Sequence, residues 1–516
     1  MVGVPARSRG CITCRRRKKG CDRGTPACDR CVRARLSCEG YDTDMIWLNS
    51  NTNSSSNQKR NDSLQLKIAS EDRPWVISYT RNREAGSRVA LPDSFARSAR
   101  EHLYFGLFWN IMIPAGPRFS PESSDLASIG WTSFLGDLYN SETTLRFATI
   151  AAATSILGRL NNDEQLRLKG LQVYSWTIQE MIKAVKEPSR AKNDSLVLAA
   201  RLMAFYELYF GPDGDPRLAG WQRHSEGQLA MFLARGPGSF ISGAAHQLFA
   251  DSRINLILLA IRQRAISPFS SNEWNTLPWT IIEKSTKDKL IDIMSSIPYI
   301  LTLLDFLTIP DSQEAADELR VLIWQQCQNT EAALAMWRAH IDLSIYDYTI
   351  ARLPLPKPQA DRDFSLLHLS CTYWSICLML SCIIESIPGD FQISLTDASK
   401  HATDASYLNA NQYPIVAPEK YASKIAHCVH LFFEPLAGAV QGSSGFFPMV
   451  CALRFYEMAA KMTGQKSAEL QLLYDLFNRP FMGNKVERYL AYLHRSVWKD
   501  DMDGHGSKPK NWTTWF

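Results

Sequence analysis

Apolar residues beyond residue 93 recur every three or four positions, which is the spacing of one face of an α-helix. Asn193 and Asp194 precede an apolar run over residues 196–210, which predicts a capped helix. Residues 313–341 predict one long helix or a kinked pair. Strand-like alternation is sparse, so the pattern predicts a large all-α domain over residues 91–516. A third run with helical spacing consists of Leu168, Leu171, Tyr174, Ile178, Met181, Ile182 and Val185.

One stretch of 21 residues, Phe364 to Ile384, contains no Asp, Glu, Lys or Arg. Its length permits a membrane span, which takes about 20 apolar residues. It also contains four serines, a threonine and His368, and its neighbours are ordinary soluble sequence. The favoured interpretation is a buried central helix, and no membrane is expected among the partners. The cysteines in this stretch lack a zinc-ligand spacing and are interpreted as core residues.

The region that precedes the all-α domain is polar. Residues 49–63 are rich in Asn and Ser and cannot form a core, so we assign residues 42–90 to a flexible linker. Leu64, Leu66 and Ile68 alternate with period two, and no heptad pattern for a coiled coil is found here. The protein is therefore expected to act as a monomer or as a homodimer through its helical domain.

Six cysteines in the first 38 residues carry the chemistry, and one half-motif appears twice in the spacing C-x2-C-x6-C-x6-C-x2-C-x6-C. A segment of about 40 residues needs a metal or disulfide staple to fold. A disulfide module requires an oxidising compartment, and the chain starts without an apolar signal-peptide run. Zinc is therefore favoured over disulfides or an iron–sulfur site. The proposed ligands are Cys11, Cys14, Cys21, Cys28, Cys31 and Cys38.

Two tetrahedral zinc ions need eight thiolate positions, and six cysteines supply eight only if two of them bridge both metals. A repeated half-motif suggests a pseudo-symmetric cage. The cage is also closed, whereas a catalytic zinc keeps an open position. No HExxH, GxSxG, phosphate-binding loop or dinucleotide-binding glycine pattern is present, so we do not expect an enzyme.

Positive charge is concentrated in this segment. Residues 1–40 hold eleven Lys and Arg against three Asp and Glu, a formal excess of +8. Because the whole chain carries +5, residues 41–516 sum to −3. Such a patch neutralises phosphates, and its affinity for DNA falls steeply with salt. Together, the metal cage and the cationic surface indicate that this segment binds nucleic acid. An alternative interpretation is that the basic run is a nuclear localisation signal and nothing more. Such a signal does not require a zinc cage.

The segment resembles the zinc binuclear cluster (Zn2Cys6) of fungal transcription regulators. The resemblance rests on the cysteine spacing, Arg15 after the second cysteine, the basic run before the third, Asp22 after it, and Pro26 before the fourth. It implies that Cys11 and Cys28 bridge two Zn²⁺ ions. We assign residues 8–41 to this DNA-binding domain.

The resemblance also implies how DNA is read. A short helix over about Ile12 to Lys18 presents its end to the major groove, with Arg17 and Lys18 contacting the bases of a CGG-like triplet. The sequence departs from the family pattern at Gly20, where a basic residue is usual. Without that basic side chain, one contact with DNA is lost. The residues expected to contact phosphate are Arg15, Arg16, Lys19, Arg30, Arg33 and Arg35.

The large domain is similar to the fungal-specific transcription factor domain that accompanies such clusters, which implies a regulatory role. Trp221, His224 and Gln228 stand one helical turn apart and predict a packing and hydrogen-bonding cluster rather than a ligand site. The short motifs behind this resemblance are Gly158-Arg159, Tyr206-Glu207, Trp221 with His224 and Gly227, Arg235-Gly236-Pro237, Glu273-Trp274 and Pro278-Trp279.

The leading interpretation is a nuclear, zinc-dependent, sequence-specific regulator of RNA polymerase II transcription, with double-stranded DNA and the transcription machinery as partners. The alternative is an interaction protein or co-regulator in the nucleus. In this alternative the zinc cluster folds but does not bind DNA, and Gly20 is a sign of that loss. The protein then acts by docking on another regulator.

Overall fold

The computed structural model describes eleven parts of the chain, and the fold is given for these alone. The chain divides into two compact units, one made of residues 1–64 and 81–99 and the other of residues 65–80 and 100–516. The described parts are residues 11–22, 28–36, 38, 63–68, 77–82, 93–114, 120–210, 219–307, 312–341, 355–387 and 417–476.

The cysteine-rich module contains two short helices, α1 (Ile12–Arg16) and α2 (Asp29–Arg33). Its interior consists of sulfur: the side chains of Cys11, Cys14, Cys28 and Cys31 are fully buried, with Cys21 and Cys38 packed against them. A module of this size has no other core among its described residues, so the thiol cluster takes the place of a hydrophobic core.

The predicted linker contains regular structure. Strands β1 (Ser63–Ile68) and β2 (Ile77–Asn82) are neighbours in a two-stranded sheet. β1 coincides with the alternating residues Leu64, Leu66 and Ile68, whose period of two is that of a strand. The residues predicted as a flexible linker, 42–90, therefore include this pair of strands.

The region beyond residue 93 is helical in its described parts, which confirms the prediction of an all-α domain. Its α-helices are α3 (Asp93–Met112), α4 (Pro121–Leu126), α5 (Leu135–Leu138), α6 (Thr143–Leu160), α7 (Glu164–Ala184), α8 (Pro188–Ala191), α9 (Asp194–Phe210), α10 (Ala219–Arg235), α11 (Gly243–Gln263), α12 (Asn272–Thr276), α13 (Thr286–Met294), α14 (Ile297–Phe306), α15 (Gln313–Ala339), α16 (Asp361–Ser386), α17 (Pro418–Cys428), α18 (Gly438–Ser444), α19 (Phe446–Thr463) and α20 (Ala468–Asp475). Short 3₁₀ helices cover Gly130–Phe134, Pro237–Phe240, Pro268–Ser270, Leu277–Trp279, Val429–Phe433 and Pro435–Ala437.

Helix α16 forms the centre of this domain. It is long and apolar enough to cross a membrane by length and composition, but every residue from Phe364 to Ile384 is buried by surrounding protein. The helix is apolar on all sides because all of its sides are covered. This agrees with the prediction of a buried central helix.

Helix α7 shows where the hydrophobic pattern misleads. The spacing predicted the helix correctly, but Leu168 and Leu171 are 58% and 49% exposed, and Ile182 is 50% exposed. The face of α7 that packs inward carries Gly170, Val173, Tyr174, Thr177 and Ala184. The periodic apolar residues therefore locate the helix but do not all belong to the core.

Buried charges cross-link the middle of the domain. The carboxylate of Asp251, which is fully buried, accepts hydrogen bonds from the Lys287 ammonium at 2.6 Å and from the Trp131 backbone N–H at 2.8 Å. Next to it, the Arg253 guanidinium is paired with Asp288 at 3.1 Å and also with Asp292. Lys287 holds the pKa of the Asp288 carboxyl below its usual value, although burial acts in the opposite direction. These ion pairs hold helices α11 and α13 in one position relative to each other.

Candidate metal centre and nucleic-acid interface

The six predicted zinc ligands come together in one place. Their sulfur atoms form two groups of four, and within each group all sulfurs lie within 4.8 Å of one another. The first group contains Cys11, Cys14, Cys21 and Cys28; the second contains Cys11, Cys28, Cys31 and Cys38. Cys11 and Cys28 belong to both groups, which is the sharing that six thiolates need to complete two four-coordinate sites.

The sulfur separations fit zinc. A tetrahedron with Zn–S bonds of about 2.3 Å has edges of about 3.8 Å. The Sγ atoms of Cys11 and Cys28 are 3.6 Å apart, and those of Cys11–Cys31 and Cys14–Cys28 are each 3.7 Å apart. Cys14 and Cys31, one from each group, are 3.8 Å apart, so the sulfurs form one compact cluster. None of these cysteines is in a disulfide.

Each half-motif positions its cysteines through a short helix. Cys28 is the N-cap residue of α2, and its sulfur accepts from the Cys31 backbone N–H at 3.4 Å. In the first half, the Cys11 sulfur accepts from the Cys14 backbone N–H at 3.3 Å. The two halves therefore repeat the same local structure at a displacement of seventeen residues, as the repeated spacing suggested.

Both helices also end in the same way. Lys18 and Arg35 have left-handed backbone conformations, with φ of 53° and 49°. The following residues, Lys19 and Leu36, donate their N–H groups back to the carbonyls of Cys14 and Cys31, each at 3.0 Å. This is the Schellman pattern of a helix C-terminus, and it explains why α1 stops at Arg16 rather than at the predicted Lys18.

Burial disfavours charge on these thiols unless a cation is present. Desolvation raises the pKa of the Cys11 thiol to about 12, and it also raises the pKa of Cys14 and Cys28. Thiolates are the form that binds zinc, so the buried cluster needs a metal to hold its charge. The donor set and its spacing fit zinc.

Asp22 joins the two halves. Its carboxylate accepts from the backbone N–H groups of Asp29 at 2.8 Å and Arg30 at 3.1 Å, which are unsatisfied donors at the start of α2. The aspartate that follows the third cysteine thus caps the helix that carries Cys31. Pro26, by contrast, lies outside the described residues.

The basic residues predicted to contact DNA lie on the surface of the module. Arg16, Arg17, Lys18 and Lys19 are exposed in consecutive positions at the end of α1, and the backbone of Arg15 lies within that helix. The exposed residues of the second half are Arg30, Arg33 and Arg35.

Two of the predicted phosphate contacts also have partners within the module. The Arg30 guanidinium donates to the Gly20 carbonyl at 3.4 Å. Arg33 lies 3.9 Å from the Asp29 carboxylate, with both side chains largely exposed, which is a weak pairing. Both arginines remain accessible to a partner. The sequence did not indicate the contact between Arg30 and the loop at Gly20.

In the helical domain, His224 and Gln228 each make a hydrogen bond to a neighbouring helix. His224 Nε2 lies 2.7 Å from the hydroxyl of Tyr174, and that hydroxyl donates to the Glu207 carboxylate at 2.6 Å. Gln228 donates to the Val197 carbonyl at 3.4 Å. These contacts connect α7, α9 and α10, in agreement with a packing and hydrogen-bonding role.

The comparison with protein families concerns the N-terminal part of the chain. Residues 9–45 match the model of the fungal Zn(2)-Cys(6) binuclear cluster domain. The chain carries a Zn2Cys6 cluster. Zinc binding follows from this match together with the two sulfur groups, and it agrees with the predicted cofactor. The matched residues do not include the predicted C-terminal transcription factor domain, which stays a prediction.

One curated relative is the transcriptional regulatory protein pro1 of Neurospora crassa, which is 34% identical over 113 residues. The alignment covers 20% of this chain and 16% of the relative. The chain therefore spans about a sixth of the length of that relative. No solved structure matches the chain.

Proposed function

We propose that the protein is a nuclear, zinc-dependent regulator of RNA polymerase II transcription that binds double-stranded DNA in a sequence-specific manner. One observation carries the proposal: four exposed basic side chains, Arg16 to Lys19, follow one another at the end of a helix anchored by the buried sulfur cluster. A rigid cationic helix end is the kind of element that enters a major groove. The match of residues 9–45 to the Zn2Cys6 domain and the likeness to a transcriptional regulatory protein support it.

In this proposal two zinc ions occupy the two sulfur groups, bridged by Cys11 and Cys28. The role of the zinc ions is structural only: they balance the negative charge of the thiolates. Arg17 and Lys18 read a CGG-like triplet by donating to guanine O6 and N7. The phosphate contacts come from Arg15, Arg16, Lys19, Arg30, Arg33 and Arg35.

The helical body serves as a regulatory domain of the fungal transcription factor type in this proposal, and the transcription machinery is its partner. A homodimer through this domain remains part of the proposal. Leu168, Leu171 and Ile182 on α7 are exposed apolar residues that we assign to such a contact.

The test is DNA binding by the full-length, zinc-loaded protein, measured by fluorescence anisotropy at several salt concentrations. We expect tighter binding to a CGG-containing duplex than to a scrambled duplex, and two zinc ions per chain by elemental analysis. Chelation should abolish binding, because metal binding and folding of the module are one process.

The competing function is an interaction protein or co-regulator whose folded cluster does not bind DNA. Gly20, which stands where a basic residue is usual, favours this alternative. Equal, weak affinity for both duplexes together with full zinc content would support the interaction protein. Absence of stoichiometric zinc would overturn both functions.

A further inference from the structure

The helical domain contains a cavity of about 110 Å³ that is partly open to solvent. Six α-helices contribute to its wall. They are α9 through Arg201, α10 through Trp221, α11 through Ile254, α16 through His368, α18 through Val440 and α19 through Phe446. A volume of this size holds several water molecules or one small organic molecule. Its lining residues are spread over more than 300 positions of the chain, so no local sequence motif marks the cavity.

Two buried polar atoms in the cavity wall lack hydrogen-bond partners among the described residues. They are the hydroxyl oxygen of Ser128 and Nδ1 of His368, on side chains that are 6% and 7% exposed. Buried polar atoms are rarely left unpaired in proteins, and each case calls for an explanation. Burial, with a smaller contribution from Lys287, lowers the pKa of His368 to about 4, so the imidazole is neutral at pH 7.

Arg201 adds a positive charge to the same part of the wall. Its guanidinium donates to the Asp251 carbonyl at 3.0 Å, the Ser252 hydroxyl at 2.9 Å and the Ser128 carbonyl at 3.4 Å. These are three of the five N–H donors of an arginine. No carboxylate of the described residues forms an ion pair with Arg201, whereas the nearby Asp251 carboxylate is engaged by Lys287.

The charge of Arg201 is therefore only partly balanced. Desolvation lowers its pKa to about 10, and Asp251 opposes this shift. A buried cation without a carboxylate partner attracts an anion. The contact of Arg201 with the Ser128 carbonyl places Ser128 beside the guanidinium, so one of the unpaired polar atoms belongs to the same end of the cavity.

The remaining wall is mixed. It combines polar side chains, among them Gln228 and Asn255, with apolar and aromatic ones such as Phe205, Trp221 and Phe446. Walls that combine apolar and aromatic side chains with placed polar groups are typical of sites for small organic ligands, in which the polar groups fix the orientation. The described residues thus offer aromatic surface together with one cation, Arg201, and the unpaired polar atoms of Ser128 and His368.

We propose that this cavity binds a small organic acid, with its carboxylate paired to Arg201 and hydrogen-bonded to Ser128 Oγ and His368 Nδ1, and with its apolar part against the aromatic wall. The planar guanidinium fork of an arginine matches the geometry of a carboxylate. The proposal concerns the helical domain only. It is independent of the proposed function, since it stands whether or not the zinc module reads DNA.

The test uses phenylacetate and its neutral isostere phenylacetamide as probes of the full-length, zinc-loaded protein in isothermal titration calorimetry. We expect saturable binding of phenylacetate with one site per chain. Phenylacetamide should bind at least about tenfold more weakly, because it cannot form the charge-assisted pair. Equal affinity for both probes, or no binding of phenylacetate, would overturn the proposal without the need for any variant.

Two variants locate the site. Arg201→Gln should weaken phenylacetate binding by at least about tenfold. The matched control is Arg159→Gln: Arg159 also donates to a backbone carbonyl, that of Tyr209 at 2.7 Å, and lies over an aromatic ring, but it does not line the cavity. Arg159→Gln should leave phenylacetate binding unchanged. If Arg201→Gln folds poorly, Ser128→Ala provides the second variant, with an expected loss of several-fold; unchanged affinity in it would count against the site.

Discussion

Lys18 and Arg35 occupy equivalent positions in the two halves of the zinc module, and both hold the left-handed backbone conformation that ends a short helix. For residues with a Cβ atom this conformation costs roughly 1–2 kcal/mol. Both side chains are basic and exposed. The module is thus nearly symmetric in backbone, while only the first half carries the run of consecutive basic residues.

This symmetry provides a matched pair of variants. Lys18→Ala and Arg35→Ala each remove one charge from the same backbone geometry. Lys18→Ala should erase the preference for a CGG-containing duplex, at a cost of about 1–3 kcal/mol in specific binding. Arg35→Ala should weaken binding to CGG and scrambled duplexes equally. Anisotropy titrations with both duplexes check this, and loss of preference in Arg35→Ala would contradict the assignment of Lys18.

The loop at Gly20 accepts a side chain. A Cβ atom at Gly20 would meet the Arg30 guanidinium at 3.6 Å, an ordinary van der Waals contact. Gly20→Lys should therefore fold, tighten binding to all duplexes and steepen the salt dependence by about one unit of slope. Gly20→Gln, of similar bulk without charge, is the control. An unchanged slope in Gly20→Lys would mean that position 20 faces away from DNA.

Asp22 stabilises the module through its bonds to the backbone of Asp29 and Arg30. Asp22→Ala leaves these donors to water and should cost about 1 kcal/mol of module stability. The measurement is zinc retention against a competing chelator. Asp29→Ala serves as the control, because its exposed pairing with Arg33 at 3.9 Å is worth little. Equal retention by both variants would argue against a capping role.

The buried pair Asp251–Lys287 should dominate the stability of the helical domain. Asp251→Asn leaves the Lys287 ammonium buried without its charge partner, which costs about 3–5 kcal/mol. Glu164→Gln removes the exposed pair with Arg167 and should cost less than about 1 kcal/mol. Thermal unfolding of the two variants compares them. Similar melting temperatures would show that the buried charges do not hold α11 and α13 together.

The helical domain should lose stability in mild acid. Burial lowers the pKa of His224 and of His368 to about 4, below the usual 6.5. Between pH 6.5 and 4 the unfolded chain binds protons that the folded chain does not, so stability is complete above pH 6.5 and falls toward pH 4. For the fully buried His368 the loss amounts to about 3 kcal/mol.

The matching measurement is the melting temperature of the full-length protein as a function of pH. His368→Gln should flatten the decline, whereas His340→Gln, at an exposed position, should leave it unchanged. An identical decline in His368→Gln and the unsubstituted protein would show that other groups govern the acid response.

The sequence by itself determined the zinc module. Ligand spacing is a local property, and a closed sulfur cage leaves a short chain few ways to fold, so the cysteine pattern alone indicated which residues cluster. Periodicity likewise located α7, a cap and an apolar run located α9, and a charge-free stretch located α16, because helical hydrogen bonds are local. The sequence pattern predicted that α1 ends at about Lys18, whereas the helix ends at Arg16. The left-handed residue after this helix is Lys18 and not the glycine that usually marks a helix end.

Only the tertiary structure decided which helix faces are covered. Leu168 and Leu171 continue an apolar pattern yet lie in solvent, because no described element packs on that side of α7. The pairing of Asp251 with Lys287 and the cavity beside Arg201 join residues from distant helices, and single-sequence patterns hold no information on such contacts. Burial, charge compensation and cavity shape arise when the helices pack against one another.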